Sequence, residues 1–176
     1  MNRTLILGGA RSGKSRYAEK LALARSERPL YLATSRAWDD DHRARIARHQ
    51  SDRGDRFETL EEEKHLSAHE VEGRVVVVDC VTLWLTNFFV DEKQDVERCL
   101  ALARSEMDRA LAKDTSWIFV SNELGQGLHA PTEAGRKFTD LQGFVNQYIA
   151  ARVDVVTLLV AGIPLHVKGQ PTEGPF

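Results

Sequence analysis

The chain has 176 residues, of which 42% are hydrophobic and 28% charged, with a formal net charge of −2. Those values describe one ordinary core-forming domain over residues 1–176 and exclude a broadly basic surface for nucleic acid or anionic lipid. Two cysteines, Cys80 and Cys99, cannot make a disulfide framework, and no apolar run has the length of a leader or a membrane span. A soluble cytoplasmic protein is expected.

The first element carries the chemistry. Thr4 to Leu7 is a short apolar run that leads into Gly8-Gly9-Ala10-Arg11-Ser12-Gly13-Lys14-Ser15, the pattern G-x-x-x-x-G-K-[ST]. Glycines at 8 and 13 let the backbone curl so that successive N–H groups face one anion, and the helix that follows adds its positive end. Lys14 is placed to reach the β- and γ-phosphates of a nucleoside triphosphate, and the Ser15 hydroxyl to take a Mg²⁺ position. In that helix Tyr17, Ala18, Leu21, Ala22 and Arg25 share a stripe, and Pro29 closes the connection.

Leu30 to Ala33 is the second strand, ending in the polar Thr34-Ser35. From Asp39 to His49 three aspartates precede Arg43, Arg45 and Arg48, and acid first with base last predicts a polar helix. Gln50 to Arg56 reads as a loop. Phe57 to Glu72, dense in carboxylates, reads as a mostly solvated connection with a short helix. Val75 to Val78 is a continuous apolar run, the form of a strand buried on both faces, and Asp79 at its end is the acid that a nucleotide site uses to hold Mg²⁺.

Residues 82–90 are apolar and aromatic, and 94–112 form an amphipathic helix through Val96, Leu100, Ala103, Met107 and Leu111. Trp117 to Val120 is the fourth strand and delivers Ser121-Asn122-Glu123 before a loop with Gly125 and Gly127. A helix over 134–151, a fifth strand over 154–160 and a short antiparallel edge over 164–168 complete the chain, with a frayed tail after Gly169. Alternation of strand and helix predicts an α/β fold, a mostly parallel sheet with helices on both faces. Every polar cluster then falls at a strand end on the phosphate-loop side, where open α/β sheets bind ligands.

Beyond the phosphate loop, the segments Ala33-Thr34-Ser35, Asp40 with Ala44-Arg45-Ile46 and His49, and Asp79-Cys80-Val81-Thr82-Leu83-Trp84-Leu85-Thr86-Asn87 follow in order. Asn122-Glu123-x-Gly125-x-Gly127, Arg136 with Phe138 and Asp140, Gly143-x-x-Asn146-Gln147 and Val160-x-Gly162-x-Pro164 come after them. In this order they resemble the bifunctional adenosylcobinamide kinase / adenosylcobinamide-phosphate guanylyltransferase family of cobalamin assembly, over nearly the whole chain.

The resemblance implies a P-loop NTPase (RecA-like) three-layer fold, a homotrimer, a corrinoid substrate, and ATP or GTP with Mg²⁺ as cofactors. It implies two reactions: phosphorylation of the adenosylcobinamide hydroxyl, then transfer of GMP from GTP through a guanylylated histidine. By its position after Ala44-Arg45-Ile46 that histidine is His49. Its chemistry also stands alone, because a neutral imidazole can attack an α-phosphate, and arginines at 45, 48 and 53 discourage ring protonation. The resemblance places Thr34, Ser35, Arg36, Gln50, Ser51, Asp52, Arg53 and Glu61 against the guanine nucleotide, and Asn122 and Glu123 near the transferring phosphate or the incoming hydroxyl. Catalysis falls to His49, Lys14, Asp79 and Glu123, nucleotide binding also to residues 8–15, and metal binding to Ser15 and Asp79. Arg136 suits a phosphate or a structural ion pair equally. Where the family commonly shows Arg-Pro and then tryptophan, this chain has Arg53-Gly54 and Phe57, an aromatic that offers a stacking face. The alternatives are a monofunctional P-loop small-molecule kinase and a non-catalytic nucleotide-dependent regulatory protein, for both of which His49 is dispensable.

Overall fold

A computed structural model describes residues 2–36 and 54–170. The expected polar helix over 39–49 with its His49, the loop residues Gln50, Ser51, Asp52 and Arg53, and the tail from residue 171 lie outside the described residues. The elements are β1 (Thr4–Gly8), α1 (Lys14–Arg25), β2 (Leu30–Ala33), β3 (Glu58–Glu61), β4 (Val75–Asp79), α2 (Val81–Asp91), α3 (Val96–Ala112), β5 (Ser116–Val120), α4 (Glu133–Arg152), β6 (Val155–Val160) and β7 (Ile163–Lys168).

The strands form one sheet in the order β3-β2-β4-β5-β1-β6-β7. All neighbours pair in parallel except β6 and β7, which form an antiparallel hairpin at the edge. The core strands alternate between two buried faces with the period of two that a pleated strand imposes. Leu5, Leu32, Val76, Val78, Trp117 and Phe119 point to the face covered by α2, α3 and α4, while Ile6, Tyr31, Val77 and Ile118 point to the face covered by α1. This is the expected three-layer arrangement of a mostly parallel sheet.

Two stretches differ from the sequence expectation. Glu58–Glu61, read as solvated connection, adds a parallel edge strand beside β2, pairing Leu30 with Glu58 and Ala33 with Glu61. Four residues with a single aliphatic side chain, Leu60, carry too little alternation to reveal a strand, and it is β2 that supplies the backbone partners. The apolar stretch 82–90 becomes α2, whose Trp84, Leu85, Phe88 and Phe89 all enter the core. Helix ends are set by side chains: Asp95 accepts the Arg98 N–H at 3.0 Å and starts α3, and Thr132 accepts the Gly135 N–H at 3.1 Å and starts α4.

Candidate functional site

The phosphate loop leaves β1 through Gly8, at φ 153°, and enters α1 through Gly13, at φ 96°. A Cβ on Gly8 would lie 2.6 Å from both the Leu159 carbonyl oxygen and the Ser12 Oγ, so the loop closes there only without a side chain. Gly13 caps α1 with no side-chain hydrogen bond, which leaves the first-turn amides available to an anion. The β6–β7 turn braces the loop from outside, where the Gly162 N–H donates to the Ser12 carbonyl at 2.9 Å. Arg11, at φ 57°, turns its side chain into solvent alongside exposed Gly9 and Ala10.

Lys14 spans the cradle. Its Nζ donates to the Gly9 carbonyl at 2.6 Å, and the residue is only 8% exposed. Burial pushes the ammonium below the usual lysine range, against the opposing pull of Cys80 and Asp79. An anion in the cradle would supply the counter-charge that a buried ammonium, cut off from water, requires.

The sheet register brings the other strand ends to the same row: Ala33 lies opposite Asp79, and Asp79 and Ile6 both lie opposite Val120. Asp79 accepts the Tyr31 hydroxyl at 2.5 Å through Oδ2, a contact that aims the carboxylate from the neighbouring strand. The Asp79–Cys80 peptide is cis, and burial pushes the Cys80 thiol up to about 12. Beyond β5, the Asn122 N–H donates to the Thr82 hydroxyl at 3.1 Å and the Glu123 N–H to the Gly8 carbonyl at 3.1 Å. Glu123 is thereby fastened to the phosphate loop itself.

Ser15, half-buried in the first turn of α1, and Asp79, half-buried at the end of β4, are the residues that could hold Mg²⁺. Among the described residues no group of three or more His, Cys, Asp or Glu is arranged to hold a metal. That donor set fits Mg²⁺ in a nucleotide site, where one or two protein oxygens suffice and phosphate and water complete the octahedron.

The outlet of β2 is built differently. Thr34 is fully buried, with its hydroxyl donating to the Cys80 carbonyl at 2.7 Å, and the Asn87 amide donates to the Thr34 carbonyl at 2.8 Å and the Glu63 carbonyl at 2.9 Å. Arg36 forms a two-pronged pair with Asp91 at 3.0 and 3.1 Å and a second pair with Glu63. Half-buried Ser35 sits between them, and Glu61 is exposed at the end of β3. Phe57 is packed edge-on against Tyr31 at 5.9 Å and is 6% exposed, so its ring belongs to the core. Arg136 bonds the Ala130 and Pro131 carbonyls, both at 3.2 Å, at the start of α4.

The structure thus brings residues 8–15, Asp79, Thr34, Asn122 and Glu123 to one row of strand ends. Tyr31, Thr82 and Asn87, none of them given a role by the sequence, hold members of that row, and Asp91 holds Arg36. Tyr31 occupies a regular strand position, where nothing in the local pattern separates a supporting group from a packing one, whereas Thr82 and Asn87 stand in the 79–87 segment of the resemblance without a role of their own. A hollow of about 680 Å³ lined by Glu58, Leu60, His69, Glu70, Glu72 and Arg74 lies at the β3 edge. Glu58 pairs with Leu30, the first residue of β2, so it lies toward the opposite strand ends from the cradle.

Residues 4–167 match the family model described as cobinamide kinase / cobinamide phosphate guanyltransferase. The chain is 44% identical over 177 residues to the bifunctional adenosylcobalamin biosynthesis protein CobP of Pseudomonas aeruginosa, covering 96% of this chain and 99% of that protein. It is 35% identical over 179 residues to the protein CobU of Escherichia coli, and 34% identical over 182 residues to CobU of Salmonella typhimurium, both bifunctional adenosylcobalamin biosynthesis proteins. Each alignment covers 93% of this chain and 98% of the relative.

Proposed function

The chain belongs to the cobinamide kinase / cobinamide phosphate guanyltransferase family, and we propose that its row of strand ends performs both reactions around the cradle of residues 8–15. It is a transferase of adenosylcobalamin biosynthesis, a phosphotransferase and a nucleotidyltransferase, that takes a corrinoid substrate and nucleoside triphosphates. The observation that carries the reading is Lys14 bridging the loop to the Gly9 carbonyl beside Asp79, with Glu123 bonded to the Gly8 carbonyl.

In the kinase step the corrinoid hydroxyl oxygen attacks the γ-phosphorus, the bond to the β–γ bridging oxygen breaks, and the nucleoside diphosphate leaves. Glu123 takes the hydroxyl proton, Asn122 orients the incoming group, and Lys14 neutralises charge that develops on the phosphate. Ser15 and Asp79 would hold Mg²⁺, which when bound would supply charge neutralisation to the phosphates. In the transferase step a neutral ring nitrogen of His49 attacks the α-phosphorus of GTP and pyrophosphate leaves. An oxygen of the corrinoid phosphate then attacks the same phosphorus, and the P–N bond breaks to return His49. Thr34, Ser35, Arg36, Gln50, Ser51, Asp52, Arg53 and Glu61 complete the guanine nucleotide site, with ATP or GTP as kinase donor.

We also assign the protein a cytoplasmic setting, supported by two free buried cysteines, and a homotrimeric state. The trimer is supported by exposed Val160, Ile163, Leu165 and Val167 along the edge hairpin. Incubation with GTP labelled at the α-phosphate tests the central claim. An acid-labile, alkali-stable label on the protein, absent with γ-labelled GTP and absent in His49→Ala, is expected. Lack of α-label overturns the transferase mechanism and leaves the kinase to be measured on cobinamide directly.

A further inference from the structure

One motif of the sequence, Gly143-x-x-Asn146-Gln147, finds no role in either reaction, yet Asn146 lies directly behind the transfer site. With Gln142 one turn before it on α4, it forms a closed polar cluster in an otherwise apolar layer: Ser121 is 0% exposed, Gln142 1% and Asn146 5%. The Ser121 hydroxyl donates to Asn146 Oδ1 at 2.6 Å, and Gln142 Nε2 donates to Ser121 Oγ at 2.9 Å and to Asn146 Oδ1 at 3.1 Å. The Asn146 amide then spends its donor on the Asn122 carbonyl at 3.0 Å.

The consequence is geometric. Past the end of β5, four backbone groups are held by three other elements, β1, α2 and α4. The Ser121 N–H reaches the Ile6 carbonyl of β1, the Asn122 N–H the Thr82 hydroxyl of α2, the Asn122 carbonyl the Asn146 amide of α4, and the Glu123 N–H the Gly8 carbonyl. Immediately afterwards residues 124–129 are exposed. The cluster also leaves Gln142 Oε1 buried with no hydrogen-bond partner, so its polarity is not the arrangement that stability alone would select.

We propose that Asn146, oriented by Ser121 and Gln142, is a positioning residue that fixes the Asn122–Glu123 backbone and so aims the Glu123 carboxylate at the transferring phosphate. This rests on the reading of Glu123 as the group that takes the corrinoid hydroxyl proton. Removing the amide frees the Asn122 carbonyl and loosens the backbone from which Glu123 projects, leaving its carboxylate held by the Gly125 N–H at 3.1 Å and its N–H by the Gly8 carbonyl, while residues 8–15 keep their own bonds. The effect therefore falls on turnover and not on nucleotide affinity.

The test is kinase kinetics on cobinamide with Asn146→Ala, the milder Ser121→Ala, Glu123→Gln, and the double variant Asn146→Ala/Glu123→Gln, each with its melting temperature. Expected are a kcat loss of about 30-fold in Asn146→Ala and about 3-fold in Ser121→Ala, with KM for the nucleoside triphosphate within about 2-fold of the parent. In the Glu123→Gln background the Asn146→Ala loss should shrink below about 2-fold, because the residue acts through the missing carboxylate. An undiminished loss in that background, a rise in KM matching the fall in kcat, or unchanged kcat in both folded single variants overturns the positioning role. Full activity in Glu123→Gln overturns the reading of Glu123 and, with it, what the cluster aims. Ser121→Ala keeps the question decidable if Asn146→Ala does not fold.

Discussion

The phosphate cradle and the outlet of β2 face the same row of strand ends, but different forces hold them. The cradle is a backbone structure: glycine torsions at Gly8 and Gly13, main-chain bonds from Gly162 and Glu123, and a buried lysine folded onto the Gly9 carbonyl. The outlet is a side-chain structure, where Arg36 is gripped by Asp91 and Glu63, Asp91 is shared with Lys64, and the Asn87 amide ties two segments together. Backbone geometry resists salt and pH, whereas partly exposed ion pairs weaken with both. On the proposed reading, the kinase half is thus built on a fixed seat. The chain that continues from Arg36 toward His49 leaves from an anchor whose strength is set by charge.

Lys14→Ala separates the two regions most sharply. It removes the buried cation of the cradle and should lower kcat for cobinamide phosphorylation by about 10³-fold, the scale for losing a preorganised charge-stabilising donor. The Arg36 anchor should be untouched, so the melting temperature should stay within a few degrees. Gly8→Ala attacks the same seat through packing. The added methyl meets the Leu159 carbonyl and Ser12 Oγ at 2.6 Å, so urea titration should show a loss of about 2–3 kcal/mol together with weakened nucleotide binding. Stability equal to the parent would mean that the loop closes by another route.

The contrast also explains what could be read from the residues. The cradle is contiguous, its glycines and lysine do their work within eight positions, and the parallel strands beside it are apolar runs long enough to announce themselves. The outlet of β2 assembles from three separate stretches, Thr34 with Arg36, Glu63, and Asn87 with Asp91, and the bonds that join them cannot be read from any one stretch. β3 escaped because its strand character comes from pairing with β2 and not from its own four residues. Phe57, expected to offer a stacking face, is claimed by Tyr31 and the core, since a large ring gains more from burial than from solvent.

On the outlet side, Asn87→Ala should cost about 2 kcal/mol, because it strips the Thr34 and Glu63 carbonyls of their shared donor inside a buried site. Its signature is the balance of activities. Kinase turnover, assigned to the cradle, should stay near the parent, while α-label incorporation from GTP should slow, since Thr34 and Glu63 lose the amide that ties them together. Equal losses in both activities would show that the two regions are mechanically one.

The smallest effect belongs to Asp91→Asn, and its pH dependence gives it a signature. Hydrogen bonds from Arg36 and then Lys64 hold the Asp91 carboxyl well below the usual carboxylate range. A carboxyl whose folded pKa is depressed adds stability that is fully present above its unfolded pKa of about 3.9 and is lost as pH falls through the folded value. The parent should therefore exceed the variant by only about 0.5 kcal/mol at pH 7, as solvent screens a pair this exposed. That margin should hold down to about pH 4 and then close under stronger acid, and it should narrow in 1 M salt at neutral pH, with urea midpoints as the measure. Gly8→Ala, whose penalty is steric, should show neither dependence. A salt-insensitive margin for Asp91→Asn would place the outlet, like the cradle, under the control of packing.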